Sequence, residues 1–323
     1  MAVAQRLGVI DTISAGFGTV NKRLWLIIIP ILLDVVLWLG PKFSIAPLVN
    51  RALDGYHRLL TESSAQIPSQ DQLTSEQMEE VYRQTKDVVE PVGRVNLVGV
   101  LAWQVPSLLK MAMPEESMAL NIESGSVLVL LLLGLGVISV FGACIYLGAI
   151  AQFVRGDLFD ADFFLRRIGV NWARLIFFFV LLFLLLGFLV PIAVLLIGVV
   201  GLWSAGLASL LGGLSLGVAL WLMLYLFFVK SAIFVGDVNT LWAIRHSFSV
   251  VQRNLWSTLG LFLIINIVLW GTPIAWGLIA GHPVGMVAAI TGNAYIATGL
   301  AAATMIYYRD RHALLQRGAA KLG

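Results

Sequence analysis

The chain has 323 residues, of which 59% are hydrophobic and 12% charged. Soluble domains carry about 25% charged and 45–50% apolar residues, so this composition cannot cover a water-facing surface and excludes a soluble enzyme or binding module. The net charge of +3 is small, and the basic residues are dispersed along the chain, which excludes a nucleic-acid-binding patch.

The first predicted element is an amphipathic helix, with Leu7, Ile10, Ile13, Phe17 and Val20 on one face. It is not a short basic leader, and no small-residue cleavage site follows it, so no removable signal peptide is expected. A helix needs about 20 mostly apolar residues to cross the hydrocarbon core. Six stretches meet or approach that length: Leu24–Gly40, Ser126–Val154, Arg174–Val200, Trp203–Val229, Trp256–Ala280 and Pro283–Tyr308. The first is the shortest and contains Pro30 and Asp34. The third and fourth are joined near Gly201 and Leu202, the fifth and sixth through Gly281–Pro283. Each join implies a helical hairpin.

Between spans one and two, residues 41–125 form the one sizeable polar region, with seven basic and eleven acidic residues. Three helical pieces are expected in it. One is built on Ile45, Leu48, Val49, Ala52 and Leu53. A second starts near Ser75 and ends at Pro91. The third, Val95–Met113, should lie in the outer interface, interrupted by Pro106 and carrying Lys110. The remaining loops give the orientation. Basic residues mark the N-terminal segment (Arg6, Lys22, Arg23), the loop after span two (Arg155, Arg166, Arg167), the loop after span four (Lys230, Arg245, Arg253) and the C-terminal tail (Arg309, Arg311, Arg317, Lys321). The hairpin turns carry none. By the positive-inside rule both termini are cytoplasmic and the acidic insert is outside. The expectation is therefore an all-α polytopic transmembrane bundle of the plasma (inner) membrane. It forms a single membrane domain over 1–323, with an extracytoplasmic insert at 41–125.

An internal repeat is visible. Amphipathic helices precede span three (Phe159, Phe163, Phe164, Ile168) and span five (Val238, Leu241, Ile244, Phe248, Val251) as well as span one. An Asn close to a Trp follows each: Asn21 with Trp25, Asn171 with Trp172, and Asn254 with Trp256. Two units open on Gly156–Asp157 and Gly236–Asp237. The six spans thus read as three hairpins, each led by a cytoplasmic surface helix. Arg166, Arg167, Arg245 and Arg253 are the candidate contacts to anionic lipid.

The run Ala243–Ile244–Arg245–His246–Ser247–Phe248, continuing to Arg253–Asn254–Leu255–Trp256, and the ending Tyr307–Tyr308–Arg309–Asp310 resemble a bacterial membrane-protein superfamily. That superfamily includes the YciC-like proteins and the membrane domain attached to some glycerophosphodiester phosphodiesterases. The resemblance spans roughly residues 126–323. It implies the helical membrane fold and no activity, since the soluble phosphodiesterase barrel has no counterpart in this chain.

Candidate chemistry is sparse. Asp34, an intramembrane carboxylate, is a candidate functional site by default. Asn266 and Asn293 are the other polar residues expected in the bundle, and each also fits as an interhelical hydrogen bond. Gln152 and Lys230 are expected to snorkel at span ends. Gly213 and Gly217 make a GxxxG pair, and Gly292, Gly299 and Ala303 offer a small-residue line in span six. The four histidines are scattered over His57, His246, His282 and His312, and Cys144 stands alone. No metal, cofactor or catalytic motif follows from them. Asp157, Asp160 and Asp162 read as a solvated helix start. The leading functional reading is an accessory or scaffold subunit, or an organiser of the lipid bilayer, with a membrane-protein partner at the insert. The second is a transporter or channel for a small solute or lipid. The third is a membrane-embedded hydrolase.

Overall fold

The computed structural model describes residues 7–66, 75–93, 95–109, 119–156 and 160–320. The described chain is overwhelmingly helical. In order it forms α1 (Val9–Asn21), a 3-10 turn (Leu24–Ile27), α2 (Ile28–Leu39), β1 (Lys42–Ser44), α3 (Ala46–Gln66), α4 (Ser75–Gly93) and a second 3-10 turn (Leu97–Ala102). There follow β2 (Ala119–Asn121), α5 (Gly125–Arg155), α6 (Ala161–Gly201), α7 (Ala205–Leu226), α8 (Val229–Phe234), α9 (Thr240–Arg253), α10 (Leu255–Gly277) and α11 (Pro283–Ala320). Among the described residues five helices are long and apolar enough to cross a membrane: α5, α6, α7 continued by α8, α10 and α11. Their outward faces carry large apolar side chains with no protein cover, such as Phe183 (77% exposed), Leu195 (65%) and Ile274 (76%). An apolar surface this continuous has no stable contact with water, and the fold is that of a multi-pass helical membrane protein. The Leu24–Leu39 stretch is shorter. Its 3-10 turn and α2 together reach roughly 26 Å, against a hydrocarbon core of about 30 Å.

The chain separates into two compact units, Met1–Ile29 with Val140–Gly323, and Pro30–Ser139. In the larger unit α11 is the hub. It packs on α1, α8, α9 and α10, and 44% of its apolar stretch is inside the protein, against none of the corresponding stretch of α6. Small residues let α1 approach it closely. A Cβ built on Gly16 would sit 2.4 Å from the Gly299 carbonyl oxygen and 2.7 Å from the Ala303 backbone nitrogen. One built on Gly299 would meet the Phe17 ring at 2.6 Å. The buried stripe of α1 is therefore Thr12, Gly16 and Val20, whereas Ile10, on the apolar face, is 78% exposed. The same holds for α9, where Ala243, Ser247, Val250 and Val251 are buried and Leu241 is 61% exposed. In both helices the small residues face protein and a large apolar residue faces out.

The surface helix expected before span three does not end where the span begins. α6 runs unbroken for 41 residues through Asn171 and Trp172, about 62 Å at 1.5 Å per residue. Phe163, Phe164 and Ile168 lie on its first turns, and Phe159 and Asp157 lie outside the described residues. The physical reason is local: no proline interrupts 161–175, and Gly169 alone does not break a helix otherwise rich in formers. The outer two units keep the break. The chain leaves α1 through Arg23 at φ −146°, ψ 62° and leaves α9 through Asn254 at φ −136°, ψ 34°, two similar non-helical conformations.

In the smaller unit α3 and α4 pack on each other, with the His57 and Tyr82 rings 4.6 Å apart. Pro91 sits inside the last turn of α4 and does not end it. β1 and β2 form a short parallel pair, Phe43 opposite Leu120, in a chain whose sequence offered no strand pattern. The expected helix over Val95–Met113 is not formed in its described part. Instead a 3-10 turn over Leu97–Ala102, opened by the Asn96 side chain accepting from Val98 N–H, passes into irregular chain up to Leu109. Lys110 and Met113 lie outside the described residues. Two of the amides in this stretch, Leu108 and Leu109, go instead to Asp34 of α2, and Pro106 has none to give.

Candidate functional site

Asp34 projects from α2 and is fully buried. Its carboxylate accepts the Ser107 hydroxyl, the Leu108 N–H at 3.0 Å and the Leu109 N–H at 3.3 Å. Ser107 Oγ in turn accepts the Leu109 N–H at 3.1 Å. Two consecutive amides and a hydroxyl converging on one carboxylate form a small anion nest. Around it Leu37, Val98 and Ala102 are buried together, with Leu33, Phe43, Leu101 and Leu109 packed on them. Asp34 therefore closes the loop onto α2.

The other two expected bundle residues are also locally engaged. Asn266 Nδ2 donates to the Phe262 carbonyl of its own turn at 2.8 Å. Asn293 is 4% exposed and accepts from Thr272 Oγ1 at 3.4 Å, across α10 and α11. A further interhelical hydroxyl pair, Tyr146 to Thr298 at 2.9 Å, joins α5 to α11. Gly213 and Gly217 face open space: a Cβ on either meets nothing within 4 Å. Gly292, by contrast, lies against the Trp276 ring, 2.4 Å from a built Cβ.

The main polar assembly lies where α5, α6 and the α8–α9 connection meet. Asp237 follows Gly236 with φ 51°, the left-handed region that Asp tolerates better than most residues. From there it accepts Arg167 Nη1 and, at 2.8 Å, Arg174 Nη1. Arg174 also donates to Asn171 Oδ1 at 3.3 Å, and its carbonyl receives Thr240 Oγ1 at 2.7 Å. Arg155 donates to the Phe234 carbonyl at 3.0 Å, and the Arg155 and Arg167 guanidinium groups flank the Phe163 ring at 5.5 and 5.1 Å. Gln152 does not snorkel. It is 1% exposed, its amide nitrogen donates to the Asp160 carbonyl at 3.1 Å, and its Oε1 has no partner among the described residues.

Of the four basic candidates, Arg167 is committed to this assembly and Arg166 is exposed. Arg245 lies over Trp242 at 5.2 Å. Arg253, at the end of α9, is exposed beside a cleft that it shares with Leu7, Asn254, Trp256, Ser257 and Arg311. Sequence reasoning missed Asp237 as the acceptor for two arginines. The Gly236–Asp237 pair was its available signal, since Gly-Asp marks a turn. It also missed Arg311, counted as a tail charge yet 2% exposed. Near it the His246 and His312 rings are 4.4 Å apart, and Tyr308 stacks on His312 at 5.3 Å. Among the described residues no group of three or more metal-ligating side chains converges.

These features define an α-helical membrane protein whose polar groups are joined in pairs and small networks. No family model, curated protein or solved structure matches the chain.

Proposed function

We propose that this chain is a six-span inner-membrane protein with both termini in the cytoplasm and the 41–125 region outside, a single membrane domain carrying an outer insert. We further propose that it acts without chemistry of its own, as a scaffold or accessory subunit or as an organiser of the surrounding bilayer. The use of Asp34 carries this reading. A carboxylate that relays protons or binds a cation must exchange its partners, whereas Asp34 is enclosed and holds two backbone amides and a hydroxyl. Asn266 and Asn293 are likewise engaged close to home. The Leu24–Leu39 stretch is counted as a span because its short apolar length can be met by local bilayer thinning. Kinship with the YciC-like group belongs to the same proposal. It rests on the Ala243–Phe248 segment, in which Ser247 ties α9 to the end of α7 by donating to the Tyr225 carbonyl at 2.6 Å.

Purification of the tagged full-length chain from its own membrane in mild detergent tests the role. A membrane protein recovered in fixed stoichiometry, and lost when the outer insert is deleted, is the expected result. Solute flux in proteoliposomes that Asp34→Asn abolishes while the protein stays folded would replace the scaffold with a transporter. A reporter fused within residues 60–90 that reads as cytoplasmic would overturn the topology.

A further inference from the structure

The cleft at the α9–α10 break brings together three features that recognise an anion. The first is the start of α10. Thr258 is its first amide with an intrahelical acceptor, the Asn254 carbonyl at 2.8 Å, so the N–H groups of Leu255, Trp256 and Ser257 have none. Asn254 provides no side-chain cap, and its amide donates backwards to the Val250 carbonyl at 3.0 Å. Such a 23-residue helix presents free donors and the positive end of its dipole to the cleft.

The second feature is Arg311, which lines the same cleft although its side chain is only 2% exposed. Nη2 donates to the Leu7 carbonyl at 2.6 Å and Nη1 to Asp310 at 2.9 Å. The third nitrogen, Nε, is buried with no acceptor among the described residues. A buried guanidinium with an unmet donor is costly unless something accepts from it. The third feature is Arg253, exposed at the rim and with no ion-pair partner among the described residues.

The nearby carboxylates are spent elsewhere. Asp310 is held by Arg311, and Asp11 accepts the Gly8 N–H at 3.1 Å. Asp11 occupies the third position of α1 and accepts the N–H of its N-cap Gly8, so a carboxylate already stands at the start of α1. The corresponding third position of α10 is Ser257. The open space between these groups is about 460 Å3, enough for a phosphate with part of its substituent. Trp256, 82% exposed, stands at the same break, and exposed Trp at the end of an apolar helix marks headgroup depth.

We infer that this cleft binds the phosphate group of an anionic membrane lipid. The α10 amides and Arg311 hold the phosphate oxygens, and Arg253 selects against a zwitterionic headgroup. The inference rests on the reading of the chain as a membrane protein.

Ser257→Asp tests it. The substitution places at the third position of α10 the carboxylate that Asp11 places in α1, so its charge repels an anion from the cleft while favouring the helix dipole. The full-length protein in detergent is exposed to equal amounts of phosphatidylglycerol and phosphatidylcholine, and retained lipid is counted by native mass spectrometry. Wild type should retain phosphatidylglycerol preferentially. Ser257→Asp should bind it about tenfold more weakly with no loss of thermal stability, as expected when charge-assisted hydrogen bonds are displaced. Arg253→Gln should weaken binding in the same direction, and Arg317→Gln, which removes an equal exposed charge outside the cleft, should not. If inorganic phosphate displaces the lipid and stabilises wild type but not Ser257→Asp, the site stands with a soluble phosphate as its occupant. Equal retention by wild type and Ser257→Asp, or equal losses from Arg317→Gln and Arg253→Gln, overturns it. Lipid counting in detergent does not depend on how often the chain crosses the bilayer, so its failure leaves the topology and the scaffold role to their own tests.

Discussion

Replacing Asp34 separates a structural clasp from a working carboxylate. In Asp34→Ala the Ser107 hydroxyl and the Leu108 N–H lose their acceptor, and the Leu109 N–H keeps only Ser107 Oγ. A buried donor left unmet costs about 1–3 kcal/mol. Two such losses in a partly buried loop, taken toward the lower end and added to the vacated side-chain volume, give about 3–4 kcal/mol. Asp34→Asn keeps one acceptor oxygen but turns an amide group toward amide donors, so about 1–2 kcal/mol is expected. Ser107→Ala alone should cost about 1 kcal/mol, and the double variant should cost less than the sum because the two side chains share one interaction. The assay is unfolding of detergent-solubilised protein by added dodecyl sulfate, followed by circular dichroism. The order Ala, then Asn, then wild type in rising resistance is the expected outcome. If both Asp34 variants unfold with wild type while a transport activity disappears, the carboxylate is free in the working protein and the clasp is the wrong account.

Three further outcomes follow from the geometry. Gly16→Ala should force α1 off α11, because the new Cβ meets backbone atoms of Gly299 and Ala303. A cost of about 1–3 kcal/mol is expected, and Gly18→Ala, which meets nothing within 4 Å, is the control in the same unfolding assay. Asp237→Asn should keep the left-handed backbone but lose both ion pairs. Since Arg167 and Asp237 are each about one-third exposed, the expected loss is only about 1 kcal/mol, and it should shrink at high salt. The third outcome is a pH dependence at His246, which burial, helped by the adjacent Arg245 charge, holds below its ordinary value of 6.5. Its other neighbours are Tyr308, Trp242 and the His312 ring. A depressed histidine binds fewer protons folded than unfolded, so its contribution is complete above pH 6.5 and is lost as pH falls toward the folded value. His246→Gln should flatten a stability-against-pH curve measured between pH 7.5 and 5; an unchanged slope would mean that another group titrates there.

Much of the fold was legible because hydrophobic length is a strong signal. The runs that became α5, α10 and α11 could be bounded within a few residues at their starts. Elements decided by tertiary partners were not legible. Nothing local in Val95–Met113 announces that its amides belong to a carboxylate some seventy residues earlier, and its apolar character reads as a helix. Likewise α6 looked like two elements because Asn171 and Trp172 repeat a pattern that accompanies a break elsewhere, yet the break depends on Arg23 and Asn254 adopting non-helical angles. Amphipathic periodicity located α1 and α9 correctly. It did not show which of their residues meet protein, because in a membrane the large apolar side chains can face lipid while glycine, alanine and serine meet protein. Asp34 stood out as a lone charge in an apolar run. Asp237 did not, since its importance arises only when α6 brings Arg167 and Arg174 to it.

The unbroken length of α6 makes it a lever. Its 41 residues reach about twice the thickness of the hydrocarbon core, so the turns that carry Arg167 and Arg174 are rigidly continuous with the turns that meet lipid. A helix answers a thinner bilayer by tilting, and a tilt of about 5° over that length sweeps the far end through roughly 5 Å. That distance is larger than any hydrogen bond in the Asp237 cluster can follow. A change in bilayer thickness is thereby passed toward Asp237 through the stretch from Arg174 to Val190, which lies ahead of Pro191 and holds no proline to absorb it.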